Sequence, residues 1–288
     1  MFNRYEGAAW EERFLPRLTS AEIRDLPKTR ALVILPVGAM EQHGPHLPVM
    51  TDALIGEAVV TRAMELLPKD CDVWLLPPLA YGKSNEHLDF AGTISLSAQT
   101  LLQAVMDIAA GVKRSGFRRL LLLNTHGGNQ DLLLLAAREI RIATGLMVFY
   151  LSPGSLADLG DFCTEEEREF GIHAGDYETS LVMAVKPDWV RAGERTREMP
   201  DMAPYRYLTL EGRIRFAWVM SDISESGISG DATGATAEKG EILLGRIASR
   251  LAEALKEMCA FEIADVKRKP SVPAQEGFGM KAAEDVTA

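Results

Sequence analysis

Four short apolar runs constrain this chain more than any other feature: "RALVILPVG", "DVWLLPPL", "RRLLLLNTHGGN" and "LMVFYLS". Each is strand-length, bounded by turn residues and apolar without strict alternation, as in strands buried on both faces. Helical patterns separate them. From Asp52 to Pro68, apolar residues recur at helical spacing. "SAQTLLQAVMDIAAGVKRSG" reads as a helix with Ser97 as N-cap and Gly116 as stop, and "QDLLLLAAREIRIATG" as another. A shorter helix, "LTSAEIRDLP", precedes the first strand, capped by Thr19 or Ser20. Strand and helix alternating four times predict an α/β fold with a mostly parallel sheet and helices on both faces.

Beyond residue 152 the rhythm changes. "SPGSLADLGDFCTEEEREFG" reads as a loop or short exposed helix, and "HAGDYETSLVMAVKPDW" as a helix with His173, Asp176 and Glu178 at its start. Residues 186–235 look irregular, with a small hairpin expected around "RYLTL" and "IRFAWVM". "TAEKGEILLGRIASRLAEALKEMCAF" is a long amphipathic helix. The organisation expected is a single α/β domain over 1–265 and an extended or mobile tail over 266–288.

The 288 residues include 31 basic and 41 acidic side chains, a formal charge of −10. That leaves no excess positive charge for general nucleic-acid or membrane-surface binding. The three cysteines are scattered and form no CxxC pair, so neither a disulfide framework nor a thiolate zinc site is expected. "MFNRYEGAAWEERFLPRL" has no apolar core of signal-peptide length, and no run approaches the ~20 apolar residues of a membrane span. The expectation is a soluble, cytoplasmic protein.

All five histidines, at 43, 46, 87, 126 and 173, fall at strand ends or helix starts. In parallel sheets the ligand site lies at the carboxyl ends of the strands. Carboxylates accompany them: Glu41, Asp52, Glu86, Asp89, Asp176 and Glu178. Mixed His and carboxylate ligands without thiolates suit Zn, Mn or Fe(II). Glu41 and His43, two residues apart on an extended segment, project to one side of the chain. Asp52 can bridge two ions with its two oxygens, and Gly127-Gly128 lets the backbone turn beside His126. Two ions ~3.5–4 Å apart would share a water and lower its pKa toward ~7. His46 reads as structural. Glu86, His87 and Asp89 read equally well as pocket lining or as a solvated loop.

"LPVGAMEQHGPHLPVMTD", "GKSNEHLDFAGTISLS", "LLLNTHGGNQ" and "HAGDYETSLVM", in that order, resemble the creatininase (creatinine amidohydrolase) family, and "SGISGDATGATAEKGEILL" resembles its C-terminal segment. The resemblance implies a three-layer α/β/α sandwich and hydrolysis of a non-peptide carbon–nitrogen bond (amide, cyclic amide or formamide) of a small-molecule substrate by a metal-bridging hydroxide. It implies two divalent ions per chain, Zn and/or Mn with Fe(II) admissible, held by Glu41, His43, Asp52 and His126. Family members carry either a carboxylate or a glycine shortly after the histidine of "NTHGGN". This chain has Gly128, so Glu178 is the expected supplier of the last carboxylate. His173 matches the residue that carries a proton to the leaving nitrogen, which makes His173 and Glu178 the expected catalytic pair. The family also implies a homo-oligomer, often a hexamer. Two alternatives are a metal-dependent ring-opening hydrolase of a carbon–carbon bond in a cyclic polyol ketone and a non-catalytic metal-binding protein.

Overall fold

The computed structural model describes residues 6–157, 160, 162–212 and 214–267. Along the chain lie α1 (Ala8–Glu11), α2 (Ser20–Asp25), β1 (Leu32–Val37), α3 (Thr51–Glu65), β2 (Val73–Leu75), α4 (Ala98–Arg114), β3 (Arg119–Asn124), α5 (Gln130–Thr144) and β4 (Met147–Leu151). There follow α6 (Glu165–Phe170), α7 (Asp176–Val185), β5 (Arg197–Glu198), α8 (Met220–Ile223), β6 (Gly230–Asp231) and α9 (Ala237–Ala260). The expected tail falls almost wholly on 268–288, outside the described residues.

The four apolar runs pair as one parallel sheet in the order β2-β1-β3-β4. All six residues of β1 and of β3 are buried, because each strand packs on two cores. Leu32 and Ile34 of β1, with Leu121 and Leu123 of β3, join α3, α7 and α9 on one face. Val33, Leu35 and Val37, with Leu120 and Leu122, join α4 and α5 on the other. The result is an α/β/α sandwich built on the period-2 alternation of the strands. The chain leaves β1 toward β2 and leaves β3 toward β4, so the order reverses between β1 and β3. In such sheets the crevice at the carboxyl ends of those two strands is where ligands bind.

The caps match local chemistry. Thr19 forms a capping box with Glu22, and Ser97 Oγ accepts the Thr100 N–H at 3.1 Å. Gly116 adopts φ 90° beyond α4. Two expectations need correction, and one element went unforeseen. No hairpin forms among the described residues of 205–219, where the only pairing is an isolated bridge of Thr209 with Arg215. Tyr205, Tyr207 and Ile214 there are more than half exposed, so no buried face rewards strand pairing. The helix in "TEEEREF" is not simply exposed: Glu167 is buried and accepts the N–H groups of Asp176 (2.8 Å) and Asp231 (2.6 Å). The two-residue pair β5–β6 went unpredicted, being too short for any periodicity. The three thiols are free, although Cys71 and Cys259 are in side-chain contact.

Candidate metal centre

The loop after β1 doubles back on itself. Met40 bridges Ile94, and the Glu41 N–H bonds the Val49 carbonyl at 2.8 Å. This turns Glu41 and His43 inward, while Asp52 enters from the first turn of α3. After β3, Asn124 brackets His126: its Nδ2 donates to the His126 carbonyl at 2.8 Å and its Oδ1 accepts the His126 N–H at 3.2 Å. His173 lies on a strand-like segment that exchanges backbone hydrogen bonds with Ser229. The next residue, Ala174, has φ 54°, a left-handed conformation uncommon outside glycine and typical of constrained sites. Its N–H donates to Glu178 Oε2 at 2.7 Å, fixing that carboxylate in the first turn of α7.

The five expected ligands converge on one buried cluster. Asp52 Oδ1 lies 3.3 Å from His43 Nε2, and Asp52 Oδ2 lies 3.2 Å from His126 Nδ1. Glu178 Oε2 is 3.8 Å from His43 Nε2, and Glu41 Oε2 is 3.2 Å from His126 Nε2. Two compact triads result, Glu41–Asp52–His126 and His43–Asp52–Glu178, each able to hold a metal ion and sharing Asp52. Two more potential groupings, Glu41–His43–His173 and Glu41–Glu86–His87, overlap them.

Backbone carbonyls set the imidazoles. His43 Nδ1 lies 3.0 Å from the Glu41 carbonyl, His126 Nε2 lies 3.0 Å from the Lys83 carbonyl, and His173 Nε2 lies 2.8 Å from the Gln42 carbonyl. A carbonyl only accepts, so each of those nitrogens carries a proton, and in the neutral ring the other nitrogen has the lone pair. Each lone pair faces a carboxylate oxygen: Asp52 Oδ1, Asp52 Oδ2 and Glu41 Oε1 respectively. Two lone pairs at such distances repel unless a proton or a cation lies between them. Glu41 Oε2, His43 Nε2 and Asp52 Oδ2 are buried without any hydrogen-bond partner, a costly state for polar atoms unless a cation satisfies them. The donor set therefore fits divalent metal.

The titration of the metal-free cluster follows the same physics. Burial disfavours imidazolium, yet Asp52 and Glu178 outweigh it at His43, and Glu41 with Asp52 does so at His126. Both imidazoles are held well above their usual range. Burial pushes the Glu41 carboxyl up to about 7. Asp52 is held well below the carboxylate range by His43 and His126 despite its burial. Burial and the neighbouring His43 and His87 push His173 well below its ordinary value, so its ring is neutral.

A cleft of ≈ 600 Å³ opens onto the cluster. Phe216 and Trp218 form part of its wall, with Trp218 edge-on to His87. The loop after β2 is not solvated at its centre: Ser84 and His87 are buried. Ser84 Oγ is 3.1 Å from His126 Nε2, a contact that a polar loop residue gave no signal for. Glu86, 3.6 Å from His126 Nε2, pairs with Lys83 Nζ at 2.8 Å. Those partners hold its carboxyl at about 2 against the effect of burial. Asp89 points elsewhere and is bonded by Ser221. His46 is fully buried against Thr179, with Nε2 2.8 Å from Oγ1.

Comparison with known proteins places the chain in a family. The Creatininase family, described as creatinine amidohydrolase, matches residues 16–255. The mycofactocin precursor peptide peptidase of Mycolicibacterium smegmatis is 32% identical over 83% of this chain and 90% of its own length. The creatinine amidohydrolase of Pseudomonas putida is 32% identical over 78% and 89%. Solved creatininases in a Zn–Zn variant form and a Mn form align with TM-scores of 0.68, at 30% and 29% identity, over 85% of this chain and 97% of theirs. With its sandwich, its strand-end cluster and a match over most of its length, this chain belongs to the creatininase family of amidohydrolases.

Proposed function

We propose that the chain is a metal-dependent hydrolase of a carbon–nitrogen bond in a small amide, cyclic amide, formamide or short peptide. In this reading Glu41, His43, Asp52, His126 and Glu178 would hold two divalent ions, zinc or manganese, with Asp52 shared between the two ligand triads. The observation that carries it is the placement of the two Asp52 oxygens, each against the lone-pair nitrogen of a different histidine. Bound ions of this kind lower the pKa of a shared water toward ~7 and polarise a carbonyl oxygen. The restriction to non-peptide bonds is dropped, since mycofactocin precursor peptide peptidases, at up to 37% identity, are among the relatives beside a creatinine amidohydrolase at 32%. No helix among the described residues is long and apolar enough to cross a membrane.

The chain's own groups supply the rest. His173 is neutral, with its proton on Nε2 held by the Gln42 carbonyl. Its Nδ1 lone pair faces the cleft floor beside Glu41, where it takes a proton and passes it to the departing nitrogen. Glu178, anchored by Ala174, completes the second triad. Phe216 and Trp218 offer an apolar wall to the substrate.

Two outcomes follow. His126→Ala is expected to lower kcat/KM at least ~100-fold, because losing even a group that merely orients a ligand costs 10–100-fold. A panel of cyclic amides, formamides and short peptides checks this. Full activity in the variant, or after chelation, contradicts the reading, and turnover of a cyclic diketone alone would favour carbon–carbon cleavage. Metal loading at neutral pH is expected to release protons, since His43, His126 and part of Glu41 carry protons that ligation displaces. Apparent affinity therefore rises with pH until those groups deprotonate unaided. Titrating zinc into weakly buffered protein with a pH indicator reads this directly, and proton-neutral binding would contradict it. The homo-oligomer implied by the family belongs to the same reading, and light scattering that returned a monomer would remove it.

A further inference from the structure

Gln42 sits in the chain between Glu41 and His43, and its side chain is buried. Two backbone groups fix its amide. Oε1 accepts the Gly44 N–H at 2.9 Å, and Nε2 donates to the Gly227 carbonyl at 3.1 Å. Turning the amide over would set oxygen against the carbonyl and NH2 against the N–H, two repulsive contacts, so its orientation is determined. Gly227, at φ 82°, closes so tightly on it that a Cβ there would fall 2.3 Å from Gln42 Oε1.

The second amide hydrogen has one acceptor to serve, His87 Nδ1 at 2.9 Å. His173 Nε2 is also 3.2 Å from the amide nitrogen, but it already donates to the Gln42 backbone carbonyl, so this is a contact between two donors. With Nδ1 accepting, His87 keeps its proton on Nε2, 3.3 Å from Glu41 Oε1.

We propose that Gln42 is a positioning residue whose side-chain amide holds His87, and whose backbone carbonyl holds His173, as Nε2–H tautomers. His87 then donates to Glu41 Oε1 and leaves Oε2 as the free oxygen of that carboxylate. Glu41 Oε2 is buried without a hydrogen-bond partner, and His126 Nε2, 3.2 Å away, gives its proton to the Lys83 carbonyl instead. The tautomers follow from metal-free geometry, and only the consequence at Glu41 rests on the metal-centre reading. A neutral hydrogen-bond relay, rather than a charge, thereby decides which atoms face the cluster.

Long-range proton–nitrogen NMR of the full chain with nitrogen-labelled histidine, with zinc added and after chelation, tests this, because the correlation pattern separates the two neutral tautomers and the imidazolium. His87 and His173 are expected as Nε2–H in wild type. Gln42→Glu keeps the shape but has no hydrogen to give, so it moves the His87 proton to Nδ1 and weakens zinc binding about 10- to 100-fold. Gln42→Met removes the bond without adding charge and abolishes the single-tautomer pattern. The His46 signal, from the ring bonded to Thr179, stays unchanged and reports that each variant is folded. A His87 Nδ1–H tautomer in wild type, or a pattern unaltered in both variants, overturns the proposal. Wild-type chain that binds no zinc yet shows the expected tautomers overturns the metal-centre reading alone.

Discussion

Gly128→Ala is expected to cost at least ~100-fold in kcat/KM, the scale set by ångström-level misplacement of reacting groups, whereas its neighbour Gly127→Ala leaves activity within about twofold. A Cβ at 128 would stand 1.9 Å from Glu86 Oε1, 2.5 Å from His126 Nε2 and 2.7 Å from the Lys83 carbonyl. Glu86 can swing away, but the Lys83 carbonyl is backbone and holds the His126 ring. The methyl group therefore pushes His126 off Asp52 or displaces the loop after β2. At Gly127 a Cβ meets nothing within 4 Å. Parallel kinetics and zinc titrations on the two variants check this. Equal behaviour of the pair would mean that Gly128 is not where the loop, Glu86 and the His126 ring meet. The same crowding explains why this chain has no carboxylate at position 128: Glu86 already fills that space.

Gly240→Ala is expected to destabilise the fold by about 3 kcal/mol or more, at the upper end of overpacking costs. Helix α9 crosses α7 so closely that a Cβ at 240 would lie 1.8 Å from the Ser180 carbonyl oxygen and 3.0 Å from the Ala184 methyl. Both obstacles lie on the facing helix, and the nearer is backbone, so the helices must separate. α7 carries Glu178 in its first turn, which couples this contact to the metal cluster. Gly245→Ala, one turn and a half further along α9, meets nothing within 4 Å and is expected to stabilise by up to ~1 kcal/mol through helix propensity. Thermal unfolding should separate the two variants by roughly 10 °C, at ~2–4 °C per kcal/mol for large domains. Coincident melting temperatures would contradict the close helix crossing.

The sandwich was legible because its signals are local and periodic. Continuous apolar runs such as "RRLLLLN" mark strands buried on both faces, and Ser97 and Thr19 mark helix starts. The ligand residues stood out because rare side chains, five histidines in 288 residues, gathered where strands end. What remained hidden depends on contacts between distant segments. The Lys83 carbonyl, Ser84 and Gln42 act on histidines through hydrogen bonds that no spacing rule encodes. The burial of Glu167 follows from two N–H groups, at 176 and 231, brought in by separate elements. The 205–219 segment misled because Leu210, Phe216 and Trp218 line a cleft while Tyr205, Tyr207 and Ile214 stay exposed, and exposure cannot be read from composition.

The bridging role of Asp52 is the claim on which the functional reading stands. Elemental mass spectrometry of protein purified without chelator, on wild type and on Asp52→Ala, tests it most directly. The account predicts about two divalent ions per wild-type chain and loss of both in the variant, since both triads share that carboxylate. One ion retained in the variant, or none in the wild type, would contradict it.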